Sequence, residues 1–133
     1  MSRPRDVANG LWVWQVEHPD WRSDFDWPPL VTSTCVASGG EVAVLDPLAP
    51  APGSQVWERL DAHPPTLAVV LKPDHVRDVD AFVQRYRARA FGPSLFWRDD
   101  IPDTDLDPID HGATLPGGLQ ALYDGRGRNE TPL

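Results

Sequence analysis

The first half of the chain carries its apolar residues in short alternating runs, a pattern typical of strands. Leu11–Glu17 is rich in Trp and Val, and Leu30–Ser38 alternates apolar and hydroxyl side chains with a period of two. Gly39-Gly40 then supplies a turn, and Glu41–Leu45 returns as the partner of the preceding strand. The pattern predicts antiparallel strands preceded by a flexible N-terminal arm over residues 1–10.

The second half alternates between helical and strand-like segments. Ser54 is a good N-cap for a helix over 54–61, and the apolar run 66–71 predicts a buried strand. A second helix is predicted from about residue 74, because apolar residues follow at spacings of three and four: Val76, Val79, Phe82, Val83 and Tyr86. Short strands are predicted over 89–91, 106–110 and 119–123. This order indicates an α+β fold with one βαβ crossover.

The length of the chain indicates one domain, and its composition argues against nucleic-acid and membrane partners. Fifteen prolines in 133 residues cluster between the predicted elements, where a fixed φ and a missing donor are tolerated. The 12 basic and 20 acidic residues give a net charge of −8 without a basic stretch, which argues against nucleic-acid binding. Cys35 has no partner for an internal disulfide, and no apolar run approaches the roughly 20 residues of a membrane helix. We therefore predict a cytoplasmic protein that does not contact a membrane.

Several segments, in the correct order, resemble the metallo-β-lactamase-like hydrolases. The strand and polar turn over 67–78 are similar to the first metal motif of that family, T-H-x-H-x-D-H, and 44–47 resembles its strand with a following Asp-Pro turn. In the family that aspartate, here Asp46, supports the floor of the active site. Segments 85–93 and 110–119 are similar to the family's next strand and turn. The resemblance implies an αββα fold of which residues 1–133 form a single partial domain, the first half: a mixed sheet with helices on one face.

The same resemblance places unsuitable residues at the metal positions. Lys72, Asp74 and Arg77 stand at the three histidines of the first motif, Val76 stands at its aspartate, and Arg126 replaces the histidine of the second motif. Zinc needs neutral imidazole, carboxylate or thiolate donors, and arginine cannot be deprotonated to become a ligand. We therefore predict no metal and no cofactor, and a hydrolase-like protein that is not a competent zinc hydrolase. Whether it is an enzyme at all stays open, with the ligand set favouring no activity.

Five residues near these motifs are candidates for a site. Asp74 and His75 are weak catalytic candidates, with a helix N-cap and a first-turn polar residue as their respective structural alternatives. Lys72, Arg77 and Arg126 would line one mouth in this fold and suit a small carboxylate or phosphate. The alternative is that these three cations are unrelated surface residues.

Three interpretations follow for the whole chain. The first is a hydrolase-like protein that has lost its zinc ligands, and the second is a non-enzymatic module that binds small anions. The third is a half-domain that needs a partner, either a second copy of the chain or a missing C-terminal half. The partner is expected because a lone half would leave apolar side chains of the first sheet in water, and large apolar patches are rare in soluble monomers.

Overall fold

A seven-stranded mixed sheet with two helices forms the protein. The computed structural model describes residues 3–72, 75–93, 102–109 and 112–121. The sheet order follows the chain from β1 to β7. The elements are β1 (Arg5–Ala8), β2 (Leu11–Glu17), β3 (Leu30–Ser38), β4 (Glu41–Leu45), α1 (Gln55–Ala62), β5 (Leu67–Val69), α2 (Val79–Tyr86), β6 (Arg89–Gly92) and β7 (Asp107–Pro108).

The antiparallel half of the sheet runs from β1 to β4. β2 pairs with β3 along its whole length, and β3 pairs with β4 across a two-residue turn in which Gly39 and Gly40 have φ of 56° and 80°. Such positive φ values match the twist of a tight hairpin and favour glycine. The bounds predicted for β2, β3 and β4 are confirmed. Within the segment predicted as a flexible arm, Arg5–Ala8 pairs with β2 as an edge strand.

The parallel half of the sheet contains more crossovers than the sequence pattern indicated. β4 pairs in parallel with β5 across α1, and β5 pairs in parallel with β6 across α2. β6 then pairs in parallel with β7. The expectation of one βαβ crossover is therefore wrong. The pattern of apolar and polar residues predicted the helices and strands but did not specify which strands become neighbours.

Both helices pack on one face of the sheet, as expected. α1 contributes Val56 and Leu60 to a core that α2 joins through Val79 and Phe82, and the sheet supplies alternate residues such as Trp14. Ser54 caps α1 by accepting a hydrogen bond from the Val56 amide. The architecture is therefore α+β, a mixed sheet with its helices on one face, as the resemblance implied.

The second helix begins later than predicted. α2 starts at Val79 with Asp78 at its N-cap, and Arg77 has a φ of 46°, outside the helical region. Val76 continues the apolar spacing but lies in the turn before the helix. The predicted N-cap Asp74 lies outside the described residues, and His75 precedes the helix and is not in its first turn.

A short segment near residue 116 covers part of the opposite face. Leu115 packs with Leu67, Val69 and Phe91 there, and a single 3-10 turn spans Pro116–Gly118. Gly117 has a φ of 86°, and an added Cβ would lie 2.5 Å from the Ser38 carbonyl oxygen. Residues 114 and 120 form only an isolated bridge, so the strand predicted from 119 is absent from the described residues before 122.

The sheet face opposite the helices carries both apolar and polar side chains. Over β2 and β3 it carries Leu11, Val13, Leu30 and Val36 together with Gln15, Glu17 and Thr32. The described residues expose three large hydrophobic side chains strongly: Val7, Phe25 and Leu30. A self-associating chain or a complementary half stays a prediction.

Candidate functional site

The ends of β4 and β5 converge on a buried carboxylate, that of Asp46. Asp46 is 9% exposed and follows β4 in a left-handed conformation, with a φ of 48°. Its Oδ1 accepts a hydrogen bond of 2.7 Å from the Leu71 amide, and its Oδ2 lies 2.8 Å from Nδ1 of His75. A left-handed non-glycine residue is held only where surrounding contacts determine it. The contacts to Leu71 and His75 contribute to that constraint.

Arg77 connects the main chains of β3 and the segment after β4. Its Nη1 donates to the Asp46 carbonyl at 2.7 Å and to the Thr32 carbonyl at 3.0 Å. The hydroxyl of Ser33 donates to the same Asp46 carbonyl and accepts from the Leu48 amide at 2.9 Å. These bonds satisfy the main-chain carbonyls of Thr32 and Asp46 and the main-chain amide of Leu48. Arg77 therefore has a structural role that its type and position in the sequence did not predict.

The segment before α2 is tied to the segment after β4 by a second carboxylate. Oδ2 of Asp78 accepts from the Ala49 amide at 2.7 Å, and the Asp78 amide donates to the Pro47 carbonyl. The side chain of Asp78 therefore does not cap its own helix. Val76 lies just before Asp78 in the chain and is 3% exposed. It packs in the core between the sheet and the two helices, which we call the helix-side core.

The predicted site residues fall into three groups. Lys72 and His75 lie together, because the His75 amide donates to the Lys72 carbonyl at 3.0 Å. Arg77 is linked to this pair through Asp46, which contacts His75. Asp74 and Arg126 lie outside the described residues, so the grouping of Arg126 with the other cations stays a prediction.

The resemblance implied a supporting role for Asp46, but its contact with His75 was not predicted. The Asp46–His75 contact joins residues 29 positions apart, and the hydroxyl of Ser33 reaches the same turn from a third strand. The hydroxyl residues of Leu30–Ser38 could have indicated these polar contacts, because this strand pairs with the strand that precedes the Asp46-Pro47 turn. Within the described ranges, no group of three or more His, Cys, Asp or Glu side chains is arranged to hold a metal ion.

Cys35 is unsuited to act as a nucleophile. It lies in the middle of β3 and is 3% exposed. Burial raises the pKa of its thiol to about 11, against a smaller lowering effect of the nearby Arg59 charge. Because the thiolate is the reactive form, this side chain behaves as an inert core residue at neutral pH.

Comparison with solved structures supports the fold. The chain is similar to a metallo-β-lactamase from Erythrobacter litoralis, with a TM-score of 0.61 and 16% sequence identity. The alignment covers 98% of this chain and 59% of that one, so the chain spans well under two thirds of its structural neighbour. At this identity the likeness establishes the metallo-β-lactamase-like fold alone.

Sequence comparisons add no family. No protein-family model and no curated protein matches the chain. Among the described helices, none is long and apolar enough to cross a membrane.

Proposed function

We propose that this chain is a metallo-β-lactamase-fold protein that does not perform zinc-dependent hydrolysis. The observation that carries the proposal is the position of Val76. Where the motif of the resembled family has a metal-binding aspartate, this chain has an aliphatic side chain that is 3% exposed and belongs to the helix-side core. A valine in the core offers no donor atom to a metal.

The charges around the strand ends support the same proposal. Arg77 stands where the motif has its last histidine, and its guanidinium donates to two main-chain carbonyls. Lys72 stands at the first histidine. Two cations close to the site would repel a dication, and neither is a zinc ligand at neutral pH. Among the described residues, Asp46 and His75 are the remaining donors at this place, and they contact each other.

Metal analysis tests the proposal. We expect the protein, purified without chelators and supplied with zinc during expression, to carry far less than stoichiometric zinc by elemental analysis. His75→Ala and Asp46→Asn should leave that low content unchanged, with His63→Gln as the matched control at an exposed histidine. Stoichiometric zinc that disappears in His75→Ala would contradict the proposal.

A second candidate function is the binding of a small anion at the same strand ends. Its specific support is the hydrogen bond from the His75 amide to the Lys72 carbonyl, which brings the main chains of a lysine and a histidine together. In a chain of net charge −8, an anion binds only where cations are concentrated locally. Arg77 adds to the local positive charge, and we propose that Arg126 belongs to the same group of cations.

Thermal unfolding with phosphate and citrate tests this second candidate. At a ligand concentration about ten times the Kd, binding to the folded state should raise Tm by about 4 °C. Lys72→Gln should abolish that rise, whereas Arg87→Gln at the exposed end of α2 should retain it. An equal rise in wild type and Lys72→Gln, or no rise at all, would contradict anion binding at this edge.

A further inference from the structure

A groove lies on the sheet face opposite the helices, over the first three strands. Its volume is about 440 Å³, and it is lined by Arg3, Pro4 and Arg5 from the N-terminal segment and by Val13, Gln15 and Leu30 from β2 and β3. Volumes of this size are typical of sites for small molecules. The groove is separate from the Asp46–His75 site, although Gln15 donates to the hydroxyl of Thr32, whose carbonyl accepts from Arg77.

The floor of the groove is apolar and partly open to water. Leu30 is 51% exposed and Val13 is half-buried, and the strand pairing places both on the same face as Arg5. Val7, on the same edge strand, is 56% exposed. An apolar ligand segment would remove this surface from water, which is favourable by about 25 cal/mol per Å².

The rim of the groove is cationic. Arg3 and Arg5 are exposed and, within the part of the chain that the structure describes, form no ion pair. Arg59, Arg85 and Arg89 differ, because each pairs with a carboxylate: Asp6, Asp61 and Asp107, respectively. Two unpaired guanidiniums beside an apolar floor present donors that match one carboxylate in geometry and charge.

We propose that this groove binds a small amphipathic carboxylate, with its carboxylate at Arg3 and Arg5 and its apolar part over Val13 and Leu30. The orientation follows from charge, since Glu17 pairs with Leu30 on this face and would repel a carboxylate at the far end. The net charge of −8 disfavours anions elsewhere on the surface, so the two arginines decide where an anionic ligand lies. This groove is a second site, and none of the residues that carry the proposed function line it.

Calorimetric titration with octanoate tests the proposal, with octanol and octylamine as probes of equal chain length. We expect saturable binding of octanoate and weaker binding of both other probes. Arg3→Gln and Arg5→Gln should each weaken octanoate binding about tenfold, the loss of one charge-assisted contact, and added salt should weaken binding in wild type. Arg87→Gln removes the same charge from the helix side and should leave the affinity unchanged.

Two results would overturn the proposal. One is the absence of saturable octanoate binding up to about 10 mM, beyond the range of weak specific sites. The other is an unchanged affinity in both arginine variants, each shown by its Tm to fold as wild type does. A second titration uses a peptide with a free, apolar C-terminus. If the peptide binds and octanoate does not, the ligand of the groove is a protein segment and not a small molecule. Lys72 does not line the groove, so Lys72→Gln should leave octanoate binding unchanged. The octanoate titration therefore tests the groove separately from anion binding at the ends of β4 and β5.

Discussion

Val76→Asp should destabilise the protein by at least about 4 kcal/mol, although it restores the residue type of the resembled metal motif. The side chain at 76 is 3% exposed and packs with Val79 and Phe82 in the helix-side core. A carboxylate there would lose its hydration without gaining a metal or a charged partner. Urea unfolding measured at pH 7 gives the loss directly, and added zinc should not reverse it.

The pH dependence of this variant supplies a second readout. Burial disfavours the ionised form, so the introduced carboxyl should have a folded-state pKa above its unfolded value. The deficit relative to wild type should therefore be greatest at neutral pH and should shrink as pH falls towards the unfolded value of about 3.9. Val7→Asp, at a position that is 56% exposed, is the matched control and should change stability by less than about 0.5 kcal/mol. Stabilisation of Val76→Asp by zinc would contradict the expectation that Lys72 and Arg77 exclude a dication from this place.

Trp14→Ala should cost about 4 kcal/mol of unfolding free energy. Trp14 is 1% exposed, its ring lies 5.4 Å from Trp12 and 6.2 Å from Phe82, and its Nε1 donates to the Leu48 carbonyl. The truncation therefore leaves a cavity between the sheet and α2 and removes the donor of a buried carbonyl. Such a loss is a large fraction of the net stability of a typical domain, which is about 5–15 kcal/mol.

Two variants separate packing from hydrogen bonding at this position. Trp14→Phe keeps most of the ring contacts and should lose only about 1 kcal/mol, the contribution of the bond to Leu48. Phe25→Ala removes an aromatic ring that is 38% exposed and should cost less than about 1 kcal/mol. Chemical denaturation of the three variants gives this ranking. A small effect of Trp14→Ala would show that the sheet and α2 are not packed as described.

The local pattern was sufficient for the elements whose signal lies within a few residues. β2, β3 and β4 have the predicted bounds, because period-two alternation and a Gly-Gly turn specify a hairpin without distant contacts. Ser54 marked the start of α1 for the same reason, since an N-cap bonds an amide two positions on. The resemblance then supplied the fold class, which the alternation of elements alone left as any α+β arrangement.

The start of α2 shows where local periodicity failed. Val76 fits the apolar stripe of the helix, yet the helix begins at Val79 because Arg77 adopts a φ of 46°. That conformation accompanies bonds from the Arg77 guanidinium to the carbonyls of Thr32 and Asp46, which are 45 and 31 positions away. Three tertiary bonds, counting that of Asp78 to Ala49, outweigh the helical propensity of a few residues.

By itself, the sequence determined the hairpin, the capped first helix, the buried strand after it and the unsuitability of Lys72, Val76 and Arg77 as metal ligands. Those properties depend on residue type or on neighbours within a turn. The tertiary structure decided the parallel order of the strands, the pairing of Asp46 with His75 and the groove beside Arg3 and Arg5. Each of these joins segments that are distant along the chain, and the free energy that selects them comes from packing and hydrogen bonds formed only after the sheet has assembled.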